Sequence, residues 1–253
     1  VSFLSHPRDS HDEQRHGQDL RSPQHNRAGV EPSNHDPRSA TLESVVPIPR
    51  SDDAIRAAER MTRKLATSHY ENFLVASILL PREIRQPFYN VYAYCRTADD
   101  LADESPSPEF ALAELDRFEA RLDEAFDGQS ADPLFLALGK TVQEYRLTKQ
   151  PFADLLDAFR QDQRKCRYES FDELRNYCRR SADPVGKIVL QLGDSVDEQN
   201  VEYSDLICSG LQLANFWQDL ARDFEIGRIY LPADQMARFG VDESMLAGKL
   251  TPP

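Results

Sequence analysis

Apolar side chains are spaced differently on either side of residue 50. The first forty residues hold seven apolar side chains without regular spacing, set among Ser, Asp, Arg, His, Gln and Pro. Such a segment cannot bury enough surface to offset its ordering entropy, so residues 1–50 are predicted to be a disordered tail. From Ser51 onward apolar residues recur every three to four positions, the period of a helix with one buried face. Ser51 is placed to cap a first helix whose opening turn carries Asp52 and Asp53, followed by Ile55, Ala58, Met61 and Leu65. A second apolar stretch reaches Leu80, and Pro81 opens an element with Phe88, Val91, Tyr92 and Cys95 on one face. Pro87 is expected to set the true start of that helix or a bend in it.

Ser107-Pro108 predicts the start of a further helix, with a stripe of Leu112, Leu115, Phe118 and Leu122 and an end at Asp127-Gly128. Helices follow at about 132–147, 151–167 and 171–193, the last interrupted at Asp183-Pro184. The longest pattern, about 203–226, carries Leu206, Ile207, Leu211, Ala214 and Leu220 and stops at Gly227. No run alternates long enough for a sheet and no repeat is visible, so residues 51–253 read as one all-α domain.

Composition narrows the partners. The formal charge is −13, which argues against nucleic acid, since binding its phosphates needs clustered Lys and Arg. Cys95, Cys166, Cys178 and Cys208 form no C-x-x-C pair and no zinc-ligand spacing, so they read as reduced thiols of a cytoplasmic protein. The N-terminus lacks the apolar core of a signal peptide, and Phe73–Leu80 is too short to span a bilayer. Peripheral membrane contact and oligomeric state stay open. Five of the six histidines, His6, His11, His16, His25 and His35, lie in the tail with irregular spacing, which favours solvated disorder over a metal site.

Two segments depart from ordinary core helices. In Arg96-Thr-Ala-Asp99-Asp100-Leu-Ala-Asp103-Glu104, the aspartates four apart share one helix face, which continues back through Tyr92 and Phe88. Like charges at that spacing cost roughly 0.2–0.5 kcal/mol, and turning carboxylates toward a buried face costs more unless cations neutralise them. Asn215-Phe-Trp-Gln-Asp219-Leu-Ala-Arg-Asp223 repeats the arrangement, with Asn215 one turn before Asp219 and Gln212 close to the stripe. One such pair alone is more often a solvated helix face; two on apolar stripes point to a shared role. Carboxylate-only ligands suit Mg2+, which keeps waters and shares phosphate oxygens. The expected chemistry is ionisation of a diphosphate ester, leaving a carbocation in a dry aromatic pocket. Phe73, Tyr92, Tyr177, Phe216 and Tyr230 are candidates for its wall, although ordinary core packing explains each of them taken singly.

These residues resemble the signatures of the squalene/phytoene synthase family. The first is His69-Tyr-Glu-Asn-Phe73, Leu79-Leu-Pro81, Tyr92-Ala-Tyr-Cys-Arg96 and the aspartates; the second is Asn215 to Asp223 with Gly227-Arg-Ile-Tyr230-Leu-Pro232. Arg167-Tyr168 and Tyr177-Cys-Arg-Arg-Ser-Ala-Asp-Pro-Val-Gly186 lie between them, so the likeness covers about residues 65–240. Glu71-Asn-Phe-Leu-Val-Ala-Ser77 and Ser181-Ala-Asp-Pro-Val-Gly186 look most like the bacterial hydroxysqualene synthases of hopanoid pathways.

The resemblance implies an isoprenoid-synthase helical bundle around a central cavity, acting on an isoprenyl diphosphate with Mg2+. Presqualene diphosphate would be ionised, rearranged and trapped by water, giving hydroxysqualene. It implies that Asp99, Asp103, Asp219 and Asp223 bind the metals, with Tyr92 and Tyr230 beside them at the catalytic centre. Arg96, Arg222, Arg228 and Asn215 would meet diphosphate or the neighbouring carboxylates; His69 and Phe73 would stand at the mouth and wall of the pocket, with Tyr177 and Gln212 also lining the substrate site. Family members continue for several helices beyond the second signature, whereas this chain stops at Thr251-Pro-Pro253, so a C-terminally truncated domain is expected. Rival readings are another head-to-head reaction giving presqualene diphosphate, squalene or phytoene, a head-to-tail elongase or terpene cyclase, and a non-catalytic assembly factor of the same fold.

Overall fold

The structure is a computed structural model and describes residues 51–68 and 80–249. Among the described residues there are eleven helices and no strand: α1 (Asp52–Ser68), α2 (Arg82–Asp103), α3 (Pro108–Phe126), α4 (Pro133–Tyr145), α5 (Gln150–Asp162), α6 (Phe171–Ser181), α7 (Asp183–Leu192), α8 (Glu198–Gln218), α9 (Leu220–Glu225), α10 (Ala233–Arg238) and α11 (Glu243–Lys249). The punctuation follows local chemistry. The Ser107 and Ser170 hydroxyls and the Asp132 and Asp197 carboxylates accept from backbone N–H groups in the first turns of α3, α6, α4 and α8. Gly128 and Gly227 leave α3 and α9 at φ 74° and 80°, where a side chain would be strained.

Helix α2 is the hub, packing against α1, α3, α4, α5 and α7. Its Tyr94 is wholly buried, with its ring 5.2 Å from Phe118 and 5.2 Å from Phe152. The Tyr94 hydroxyl donates to the Phe152 carbonyl at 3.0 Å, so burial leaves no polar group unmet. Burying each such ring stabilises the fold by about 1.5–3 kcal/mol.

Pro87 neither starts nor breaks α2, which runs through it. Proline cannot donate to the carbonyl four residues back. That carbonyl, on Glu83, instead accepts the Tyr145 hydroxyl of α4 at 3.2 Å.

A buried amide fixes how α2 is rotated. Asn90 accepts from Thr62 of α1 at 2.5 Å and from Gln86 at 2.9 Å, and donates to Thr141 of α4 at 2.9 Å. At about 100° per residue, Tyr92, Arg96, Asp99 and Asp103 lie on the side of α2 roughly opposite Asn90. Docking α2 onto α1 and α4 through Asn90 therefore presents the Asp-bearing face to the other half of the molecule.

Helix α8 reverses part of the sequence expectation. Leu206, Ile207 and Leu211 are 50%, 62% and 52% exposed, while Ser209, Gln212 and Phe216 are buried. Helix α8 packs closely on α7: a Cβ on Gly186 would lie 2.1 Å from the Ser204 hydroxyl oxygen and 2.8 Å from the Cys208 sulfur. All four cysteines are free thiols. Among the described residues no helix is long and apolar enough to cross a membrane.

Candidate active site

The Asp-bearing face of α2 is largely enclosed. Arg96 and Asp99 are 9% and 6% exposed. The Arg96 guanidinium pairs with Asp100 at 2.5 Å and reaches Asp99 at 3.7 Å. Burial pushes the Asp99 carboxyl up to about 7, the charges on Asp103 and Asp100 add to this, and Arg96 opposes it. Its Oδ1 is buried without a hydrogen-bond partner among the described residues. Tyr92, half-buried on the same face, has its phenol pushed up to about 12, by burial first and by Asp99 among its neighbours.

The second segment follows α8 into α9. The helix is interrupted at Asp219, which ends α8 and precedes α9, but the Asp219 N–H still donates to the Asn215 carbonyl at 2.8 Å. The Asp223 N–H likewise donates to the Asp219 carbonyl at 2.9 Å. Asp223 is 7% exposed and its Oδ2 lacks a hydrogen-bond partner among the described residues; burial and Asp219 push it up to about 6 against Arg228 and Arg222. Gln212 is wholly buried, with neither amide atom hydrogen-bonded among the described residues. Asn215 is half-buried and Arg222 exposed.

The two segments meet through the loop after α9. That loop lies along residues 166–169: the Ile229 N–H donates to the Cys166 carbonyl at 2.9 Å, the Ala233 N–H to the Tyr168 carbonyl at 2.9 Å, and the Arg167 guanidinium to the Gly227 carbonyl at 2.6 Å. It carries Arg228 to Asp103, where the guanidinium donates at 3.1 Å. Burial would weaken the hold of Arg228 on its proton, but Tyr230, Asp103 and Asp162 outweigh it, and the guanidinium is held firmly charged.

Beneath the loop stands an aromatic column. Phe216 and Tyr230 stack at 4.0 Å with planes 7° apart, and Tyr230 lies 5.7 Å from Tyr168 and 6.0 Å from Tyr177. All four rings are buried. His69 and Phe73 lie outside the described residues.

Sequence reasoning missed Asp162, a 4%-exposed carboxylate at the end of α5 that accepts the Tyr177 hydroxyl at 2.5 Å. The signal was present: Asp162 continues the apolar stripe of Leu155 and Phe159, as Asp99 continues that of α2. It lacked a second acidic residue one turn away to draw attention to it.

The donor set fits a hard divalent cation. Two nearly buried carboxylates, each with an oxygen unmatched among the described residues, on two segments joined by an arginine, are costly as they stand and would be neutralised by bound cations. Among the described residues no three His, Cys, Asp or Glu side chains converge into a ready cage. Mg2+ needs no such cage: it takes one or two carboxylates and completes its shell with water and phosphate oxygens.

A profile of squalene/phytoene synthase matches residues 66–253. The chain belongs to the squalene/phytoene synthase family. The crystal structure of squalene synthase HpnC from Alicyclobacillus acidocaldarius is similar at 42% identity and a TM-score of 0.73, over 78% of this chain and 74% of that one. A dehydrosqualene synthase solved with a ligand is similar at 29% identity and a TM-score of 0.70, over 79% and 70%. Among curated proteins, phytoene synthase of Mycobacterium bovis is 38% identical over 189 residues, 74% of this chain and 61% of that protein. Phytoene synthase 1 of Solanum lycopersicum is 32% identical over 213 residues, 81% and 52%. The chain thus spans about half the length of several curated plant members of the family that it matches.

Proposed function

We propose that this chain carries the diphosphate-handling site of an enzyme that ionises presqualene diphosphate and captures water, giving hydroxysqualene and diphosphate. The observation that carries the reading is the pairing of two buried-acid segments through Arg228 and Asp103, taken with the similarity to squalene synthase HpnC. Asp99, Asp103, Asp219 and Asp223 would hold Mg2+, which when bound supplies positive charge to the departing diphosphate. Arg228 and Arg222 offer guanidinium groups suited to phosphate oxygens. Tyr92 has its proton held firmly by burial, so it serves as a hydrogen-bond donor and aromatic surface rather than as an acid at neutral pH.

A second reading is head-to-head joining of two prenyl diphosphates to presqualene diphosphate, squalene or phytoene, favoured by the phytoene synthases among the relatives. Incubation with presqualene, farnesyl or geranylgeranyl diphosphate, with and without Mg2+, followed by mass analysis of the lipid extract, separates them. Mg2+-dependent hydroxysqualene from presqualene diphosphate establishes the first reading. Phytoene from geranylgeranyl diphosphate, without turnover of presqualene diphosphate, replaces it with the second. No product from any substrate counts against both.

A further inference from the structure

The last turn of α5 carries two adjacent polar side chains, and each holds a tyrosine. Gln161 donates from Nε2 to the Tyr168 hydroxyl at 3.2 Å, and its Oε1 accepts from Arg180 at 2.5 Å. Asp162 accepts from the Tyr177 hydroxyl at 2.5 Å. Both tyrosines pack against Tyr230, at 5.7 Å and 6.0 Å between ring centres, and Tyr230 stacks on Phe216. Tyr230 stands two residues beyond Arg228 in the loop that reaches Asp103. A series of contacts therefore runs from α5, through two hydroxyl groups and their rings, to Tyr230, two residues along the loop from the arginine that bonds to Asp103.

A packed ring resists sliding less than it resists compression. Stacking fixes the spacing of the column, and the hydrogen bonds at the rims of Tyr168 and Tyr177 further constrain how those two rings are turned. Tyr177 is wholly buried and, among the described residues, its hydroxyl has one acceptor, the Asp162 carboxylate. Losing that acceptor would leave a buried O–H unsatisfied and let the ring turn away, and Tyr230 with it.

We propose that Asp162 is a positioning residue: its hydrogen bond to Tyr177 sets the aromatic column that holds Arg228 at Asp103, and so preorganises the diphosphate end of the site. This rests on the diphosphate-site reading above, but it assigns a role to a residue outside both acidic segments.

The test is Mg2+-dependent binding of inorganic diphosphate to the full 253-residue chain, measured by titration calorimetry, for the parent, Tyr177→Phe, Asp162→Ala, Asp162→Asn and the Tyr177→Phe/Asp162→Ala double variant. Tyr177→Phe keeps the ring and its stacking and removes only the hydroxyl. It is expected to bind about five- to tenfold more weakly, as is Asp162→Ala. Asp162→Asn retains an acceptor oxygen and should recover most of the affinity. The double variant should be no weaker than Asp162→Ala alone, since the bond that Tyr177→Phe removes is already lost there. Should Asp162→Ala not fold, Tyr177→Phe and Asp162→Asn still decide. Variants that bind like the parent, or losses that multiply in the double variant, overturn the inference while leaving the site reading intact. Absence of Mg2+-dependent binding by the parent overturns both.

Discussion

Arg228 donates a 3.1 Å hydrogen bond to Asp103 across 125 positions of sequence, and it directly links the loop after the second acidic segment to the first. Arg228 is largely enclosed, at 16% side-chain exposure, whereas Asp103 is 35% exposed, so water screens only part of the pair. A double-mutant cycle with Asp103→Asn and Arg228→Gln is expected to give a coupling of about 0.5–1.5 kcal/mol in urea unfolding. The coupling should shrink with added salt, because the Asp103 end faces solvent. A coupling indistinguishable from zero at low salt would mean that the bond contributes nothing to the stability of the fold.

Neutralising one carboxylate of each acidic pair separates function from folding. Asp99→Asn and Asp219→Asn should lower turnover by about 100-fold or more, since each removes charge where the diphosphate would be held. Neither change should cost stability, because each relieves a like-charge pair worth roughly 0.2–0.5 kcal/mol. Product assays and thermal unfolding of the same preparations check the two halves. Loss of helical circular dichroism in either variant would show that the carboxylates are structural rather than ligands.

The sequence shows the helices clearly and the packing of α8 poorly, for one physical reason. Periodicity reports which residues are apolar, and Ser51, Ser107-Pro108 and Gly227 mark where the chain must turn. It does not report which side of a helix finds a partner. In α8 the Leu206–Ile207–Leu211 residues are exposed while Ser209, Gln212 and Phe216 are buried, and Ser204 and Cys208 stand close to Gly186 of α7. The acidic segments were legible as repeated pairs on apolar stripes. Asp162 and the Arg228–Asp103 bond were not, because each depends on elements distant in sequence coming together.

The closeness of α7 and α8 makes Gly186 sensitive. An added methyl would meet the Ser204 hydroxyl at 2.1 Å and the Cys208 sulfur at 2.8 Å, and both belong to the facing helix. Gly186→Ala should therefore destabilise the fold by about 1–3 kcal/mol, as over-packing does. Ser204→Gly removes the nearer obstacle, so the Gly186→Ala/Ser204→Gly double variant should recover part of the loss relative to Ser204→Gly alone. Denaturant midpoints of the four proteins provide the measure. Additive losses would show that the strain is relieved elsewhere.

Asp183 gives the same interface a dependence on pH. It is 1% exposed and accepts the Ser209 hydroxyl of α8 at 2.8 Å. Burial pushes its carboxyl up to about 6; Asp205 adds to this, while Ser209, Lys187 and Arg175 oppose it. The folded state therefore holds the proton more tightly than the unfolded chain does, whose carboxyl titrates near 4. The stability contributed by the protonated form is fully present below about pH 4 and is lost as pH rises to about 6. Asp183→Asn carries no such penalty and keeps an acceptor for Ser209. Its stability relative to the parent should climb between about pH 4 and 6 and level off above that, by about 2–3 kcal/mol. Unfolding of both proteins in urea from pH 4 to 8 tests this. A difference that stays flat across that range, or falls as pH rises, would mean that Asp183 is ionised at ordinary cost and that its neighbours outweigh its burial.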